Sequence, residues 1–185
     1  MKKVKKIAVL LMLVVLASTM LNSCKKGADD PFISFRSRDG RITAIWKLTQ
    51  IDGTVVYYFG SSSVSTTIKY DGTTLLQTST PGGATSASGS YEMTIAKEGK
   101  ISFSETYTTT GGTADVESGE GHWHWINSDK NKNYIQLDGG SNLFQAGIYY
   151  VDKLGGSELI LKSNSKDVNN GHTNSTDITY TFEKQ

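Results

Sequence analysis

The chain has 185 residues, yet only one cysteine, two prolines and three histidines, and no surplus charge of either sign: 19 basic side chains face 18 acidic ones. A single cysteine excludes an internal disulfide and any cysteine-built zinc cluster. The near-neutral balance leaves no basic footprint for nucleic acid. The longest apolar run, Ile7 to Ala17, falls short of the ~18 residues that a membrane-spanning helix requires. A sustained 3.6-residue period is missing, and no glycine-rich loop precedes a helix, which excludes phosphate-cradling nucleotide sites. None of the many serines sits in a Gly-x-Ser-x-Gly elbow, so a hydrolase of that design has no nucleophile here.

What is present begins with a leader. Lys2, Lys3, Lys5 and Lys6 precede the apolar run, and that order of charge and hydrophobicity matches a signal peptide over residues 1–23. The segment ends at Leu21-Asn22-Ser23-Cys24, which resembles the lipobox of bacterial lipoproteins. The resemblance implies a lipidated Cys24 that anchors the chain in a membrane, and it explains why the only cysteine lies there. Acyl chains hold firmly because each buried CH₂ contributes about 0.8 kcal/mol. Removing the leader's four lysines leaves 15 basic against 18 acidic side chains, a mature charge of −3. Residues 24–31 read as the lipidated cysteine and a tether closed by Pro31. The absence of aspartate after Cys24 resembles outer-membrane sorting, and Lys25 to Asp30 is similar to basic-then-acidic surface-export tags; either face of the outer membrane remains open.

Residues 32–185 are expected to form one all-β domain. Phe32 to Arg41 predicts a short helical turn stopped at Gly40. Beyond it, β-branched and aromatic residues alternate between glycine turns. Ile42, Ala44, Trp46 and Leu48 share one strand face, and Asp52-Gly53 is expected to turn the chain into Val55 to Phe59. Asp71-Gly72 joins Val64–Tyr70 to Thr73–Thr78, and Glu98-Gly99 joins Ser90–Lys97 to Lys100–Thr109. Residues 79–90 and 166–175, rich in Ser, Thr, Gly and Asn, are expected to be loops. Short strands follow at Val116–Ile126, Tyr134–Leu137, Gly147–Leu154, Glu158–Lys162 and Asp177–Glu183, with a polar turn at Asn127–Asn133. Eight to ten strands joined by successive hairpins predict an antiparallel up-and-down β-barrel.

Several of these stretches carry a family resemblance. Ile45-Trp46-Lys47-Leu48 resembles the first-strand tryptophan motif of lipocalin-like proteins. Tyr91 to Ile95, Glu98-Gly99-Lys100 with Phe103, and Gly121-His122-Trp123-His124-Trp125 are similar to the central strands of lipocalin-like lipoproteins of the Bacteroidetes type. The resemblance spans most of residues 42–184. It implies a calyx of about eight strands that binds a small apolar or amphipathic molecule, with no reaction and no cofactor.

Candidate site residues follow from strand parity. Between Gly119 and Ile126, alternation sends Trp123 and Trp125 to one face and Glu120, His122 and His124 to the other. One carboxylate and two histidines at i, i+2 and i+4 are a possible Zn²⁺ or Fe²⁺ set. Burying two indoles at about 25 cal/mol per Å² is worth several kcal/mol, which turns the tryptophans inward and that set to solvent. Glu92, Glu105, Glu117 and Glu120 are likewise expected on the wet face. The inward aromatics Tyr91, Phe103, Tyr107, Trp123, Trp125, Tyr180 and Phe182 are the expected lining of one pocket, unless they simply fill the interior. Segments 60–67 and 79–90 are the expected mouth loops. Three functions remain open, the first two being a non-catalytic, lipid-anchored binder of a small hydrophobic or amphipathic molecule and a filled module whose loops meet another protein or a glycan. A metal enzyme on Glu120, His122 and His124 is the third.

Overall fold

Glycine-punctuated alternation becomes ten antiparallel strands in up-and-down order in the computed structural model, which describes residues 37–126, 133–169 and 172–185. The leader, the whole tether with Cys24, residues 32–36, residues 127–132 and residues 170–171 lie outside the described residues. A short helix, α1 (Arg38–Ile42), precedes β1 (Ala44–Phe59), β2 (Ser62–Tyr70), β3 (Thr74–Thr80), β4 (Ala84–Ile95), β5 (Lys100–Thr109) and β6 (Asp115–Ile126). β7 (Tyr134–Leu137), β8 (Gly147–Leu154), β9 (Glu158–Asn169) and β10 (His172–Lys184) complete the chain, and β10 returns to pair with β1, closing a ring.

The ring has two storeys. At the α1 end, residues 44–47 of β1 pair directly with residues 92–95 of β4, so β2 and β3 are absent from that level. The strands around this lower storey are β1, β4, β5, β6, β7, β8, β9 and β10. Eight strands enclose a space just wide enough for side chains to fill. Trp46, Leu48, Met93, Ile95, Ile101, Ile135, Leu137, Leu154 and Phe182 fill it and are fully buried. In the upper storey the β2–β3 hairpin enters between β1 and β4, while β7 and β8 have ended. Among the described residues, no ladder joins residues 115–121 of β6 to residues 163–169 of β9. That side window is where the β7–β8 connection, residues 138–146, crosses.

Two bulges keep apolar side chains inward. The register of β1 against β10 shifts between Leu48 and Gln50, so the buried set moves from Trp46 and Leu48 to Ile51. β8 shifts between Val151 and Lys153, which lets both Val151 and Leu154 face the core. An inserted residue reverses strand parity and re-aims everything after it.

Four expectations are corrected. Asp52-Gly53 does not turn the chain; β1 runs straight through it, paired on both sides. A Cβ on Gly53 would lie 2.6 Å from the Asp177 carbonyl oxygen, so this glycine serves close strand approach. Segment 79–90 is a hairpin, with β3 running to Thr80 and β4 starting at Ala84. Segment 166–175 is also strand on both sides of residues 170–171. Cross-strand partners hold these Ser- and Thr-rich stretches extended, which local composition does not report. Gly40 does not stop the helix: α1 passes through it, and the Ser37 hydroxyl accepts the Gly40 N–H at 3.1 Å as N-cap.

Candidate ligand site

The seven aromatics expected to line one pocket are distributed over three places. Trp123 and Trp125 form a pair at the α1 end, their rings 6.0 Å apart and nearly perpendicular. Tyr91, Phe103, Tyr180 and Phe182 belong to the central aromatic cluster. Tyr107 stands apart, on a cleft of about 600 Å³ in the upper storey shared with Leu75, Gln77, Thr85, Ala87 and Thr109. What separates the first two groups is the filled lower storey described above.

The tryptophan pair is positioned by three local devices. Trp123 is 8 % exposed, and its Nε1 donates to the Ala96 carbonyl at 2.8 Å. Gly99 makes that approach possible: its φ is +77°, and a Cβ there would stand 2.9 Å from the Trp123 carbonyl oxygen. Trp125 is half-buried and donates from Nε1 to the Asp39 carboxylate at 2.6 Å, while the Arg38 guanidinium lies 5.5 Å from its ring centroid. A cation over an indole face is attracted by the ring quadrupole. α1 is itself fixed to the ring, because Arg41 Nη1 donates to the Leu154 carbonyl at 2.7 Å and Trp46 Nε1 to the Ile42 carbonyl at 2.7 Å.

These elements bound a cleft of about 680 Å³. The two indoles form its apolar wall, and Ser37, Asp39, Lys97, Glu98 and His124 contribute polar groups. A flat apolar body can lie on the indoles while a polar edge meets the carboxylates or the lysine.

Glu120, His122 and His124 lie on the exposed outer face of β6. Among the described residues, no three His, Cys, Asp or Glu side chains gather as a metal site would require. His172 opens β10, its backbone registered with Phe59 and Asn169.

Glu105 is the correction with the largest consequence. Expected in solvent, it points inward between Phe103 and Tyr107 and is 1 % exposed. Its carboxylate accepts the Ser141 hydroxyl, the Asn142 N–H at 3.2 Å and the Leu143 N–H at 2.9 Å. Those three donors satisfy a charge that would otherwise be costly to bury. They also tie residues 141–143 into the ring and deliver Phe144, fully buried, to its centre. Neither Phe144 nor Ser141 was among the expected site residues. The signal available was Leu143-Phe144, an apolar pair inside a glycine- and polar-rich connection, where an exposed loop has no use for it.

Burial around this centre shows in the phenols. Tyr180 is pushed up to about 12 by burial. Tyr70 is raised to about 12 by burial first, then by the charges of Asp71 and Glu105. Tyr91 and Tyr149 are raised further, chiefly by burial; Glu105 adds to the effect at Tyr91, and Tyr180 and Tyr91 add to it at Tyr149.

Comparison with protein-family models, with curated proteins and with solved structures gives no match to this chain.

Proposed function

We propose that the protein is a non-catalytic, lipid-anchored binding protein of the cell envelope, a lipocalin-like barrel that holds a small amphipathic molecule in the tryptophan cleft. The observation that carries this reading is the cleft itself: about 680 Å³ bounded by Trp123 and Trp125, with Asp39, Lys97 and Glu98 among its polar groups. Its size is that of a small-molecule site, and apolar walls with a few convergent polar groups are what such sites share. The chemistry expected of the ligand is a planar or ring-bearing apolar body with a polar edge. The anchor belongs to the same proposal, through Cys24 and the outer membrane.

The test is native mass spectrometry of the full chain purified from membranes of its own host, beside a Trp125→Ala variant. A small molecule retained by the natural protein and lost from the variant is the expected result. An identical, ligand-free spectrum for both sinks the reading. For the anchor, Cys24→Ser is expected to move the protein from the membrane fraction to the soluble one, and unchanged partitioning refutes lipidation.

A second reading has its own support. Phe144 fills the centre where a calyx would hold its ligand, which favours a filled structural or interaction module that meets a protein or glycan partner. A metal enzyme on Glu120, His122 and His124 draws less support, since all three are exposed on a flat strand face.

A further inference from the structure

Phe144 sits in a box of four aromatic rings. Tyr149 stacks on it at 5.0 Å and 22°, Tyr180 and Phe182 meet it nearly at right angles at 5.0 and 5.4 Å, and Tyr91 lies tilted at 5.4 Å. The phenyl ring in the middle belongs to no strand. It is carried by residues 138–146, which cross the side window of the upper storey and contribute no ladder pairing between Leu137 and Gly147. Few polar contacts hold this segment. Glu105 takes the three donors already described, the Tyr149 hydroxyl donates to the Gln145 carbonyl, and the Ser141 N–H closes a turn on the Phe144 carbonyl at 2.6 Å. At the segment's start the Asp138 N–H donates to the His122 carbonyl and the Asp138 carboxylate accepts the Gln136 amide, both at 2.9 Å. Withdrawing the segment therefore breaks a handful of hydrogen bonds and leaves every strand pair intact.

One group in the box is unsatisfied. Tyr91 is fully buried, and its hydroxyl has no hydrogen-bond partner among the described residues. A buried donor left unpaired is destabilising, and an acceptor brought to it recovers that loss. Burial and the nearby Glu105 charge both keep this phenol protonated, so it remains a donor throughout the physiological range. The same buried carboxylate opposes a second negative charge in the chamber.

We propose that the ring holds an internal binding site for a neutral aromatic molecule bearing a hydrogen-bond acceptor, that Phe144 occupies this site in the closed form, and that residues 138–146 are its displaceable plug, latched by Glu105. The ligand's ring replaces the Phe144 phenyl within the box, and its acceptor takes the Tyr91 hydroxyl. This site is separate from the tryptophan cleft and does not depend on that reading.

The experiment uses the full chain with p-cresol as the probe and toluene, the bare counterpart of the Phe144 side chain, as its comparison. Calorimetry reads binding, and chymotryptic cleavage after Phe144, mapped by mass spectrometry, reads the plug. Saturable p-cresol binding is expected, accompanied by faster cleavage after Phe144. Glu105→Gln is expected to raise basal cleavage and tighten p-cresol binding about tenfold, because it lowers the cost of populating the open form. Tyr91→Phe is expected to remove the preference for p-cresol over toluene. If Glu105→Gln fails to fold, Ser141→Ala weakens the same latch and is read identically. The proposal is overturned by no saturable binding to the natural protein and the unlatched variant alike. Binding that leaves cleavage after Phe144 unchanged also overturns it, since the molecule would then sit elsewhere.

Discussion

The lower and upper storeys share six strands, β1, β4, β5, β6, β9 and β10, and differ in almost every other respect. Below, eight strands close on a continuous apolar filling, and the inward side chains Trp46, Leu48, Met93, Ile135, Leu137 and Phe182 are fully buried. Above, the β2–β3 hairpin widens the circle, and the walls are largely serine and threonine. Some large apolar residues there stand in solvent, Phe59 51 % and Val116 71 % exposed, although Tyr70 and Leu75 are buried. Sheet hydrogen bonding is therefore separable from core formation. A strand held on both sides can extend past the core and remain a strand with little to bury, provided its partners do the same. Stability should be concentrated below and surface variability above.

The largest effect should come from alkali. Tyr91, Tyr149 and Tyr180 are all buried, and each holds its proton above the ordinary phenol value of 10.0. Their folded values exceed the unfolded one, so the stability they contribute is complete below about pH 10 and is lost as pH rises through the folded values. Tyrosinate absorbance is expected to show these phenols ionising only together with unfolding. Reversible ionisation with the near-ultraviolet dichroism intact would show that the centre is open to water.

Next in size is Trp46→Ala. The indole is fully buried and donates to the Ile42 carbonyl at 2.7 Å, tying α1 to the ring. Its removal should cost about 3–5 kcal/mol in denaturant unfolding. A loss under half that would mean the lower storey collapses readily around voids, and the contrast with the upper one would weaken.

Gly53→Ala probes the junction between the storeys. The added Cβ would meet the Asp177 carbonyl oxygen at 2.6 Å and Ile178 Cα at 2.7 Å, both backbone. A destabilisation of about 1–3 kcal/mol is expected, because neither atom can swing aside. At the far end, Tyr58→Ser should change stability by no more than about 0.5 kcal/mol, since the residue is 42 % exposed. A larger loss would mean that the hairpin tip contributes to the core after all.

Legibility in the sequence followed the same division. Parity assigned Trp46, Tyr91, Trp123, Tyr180 and Phe182 to the inner face because each lies in a run where apolar and polar residues alternate. Asp71-Gly72 and Glu98-Gly99 marked real chain reversals; the Asp71 carboxylate accepts the Thr73 and Thr74 N–H groups at 3.0 and 2.8 Å. Segments 79–90 and 166–175 were illegible because their strand state comes from distant partners rather than from their own residues. Glu105 was a failure of a different kind. Its parity with Phe103 and Tyr107 pointed inward, but a carboxylate can go there only if donors arrive, and the donors come from a connection 36 residues away.

By itself the sequence determined the all-β class, the ring-closing order of hairpins and the face on which the tryptophans lie, because alternation and turn chemistry act over a few neighbouring residues. Tertiary structure alone decided that β2 and β3 serve only the upper storey, and that β7 and β8 serve only the lower one. It also decided that the tryptophans and the central aromatics form two sites instead of one, and that a loop phenylalanine on a segment held by a buried glutamate fills the second. Each of those outcomes depends on groups far apart in the chain satisfying one another, the Glu105 charge and the Ser141–Leu143 donors above all, and no local pattern records such a meeting.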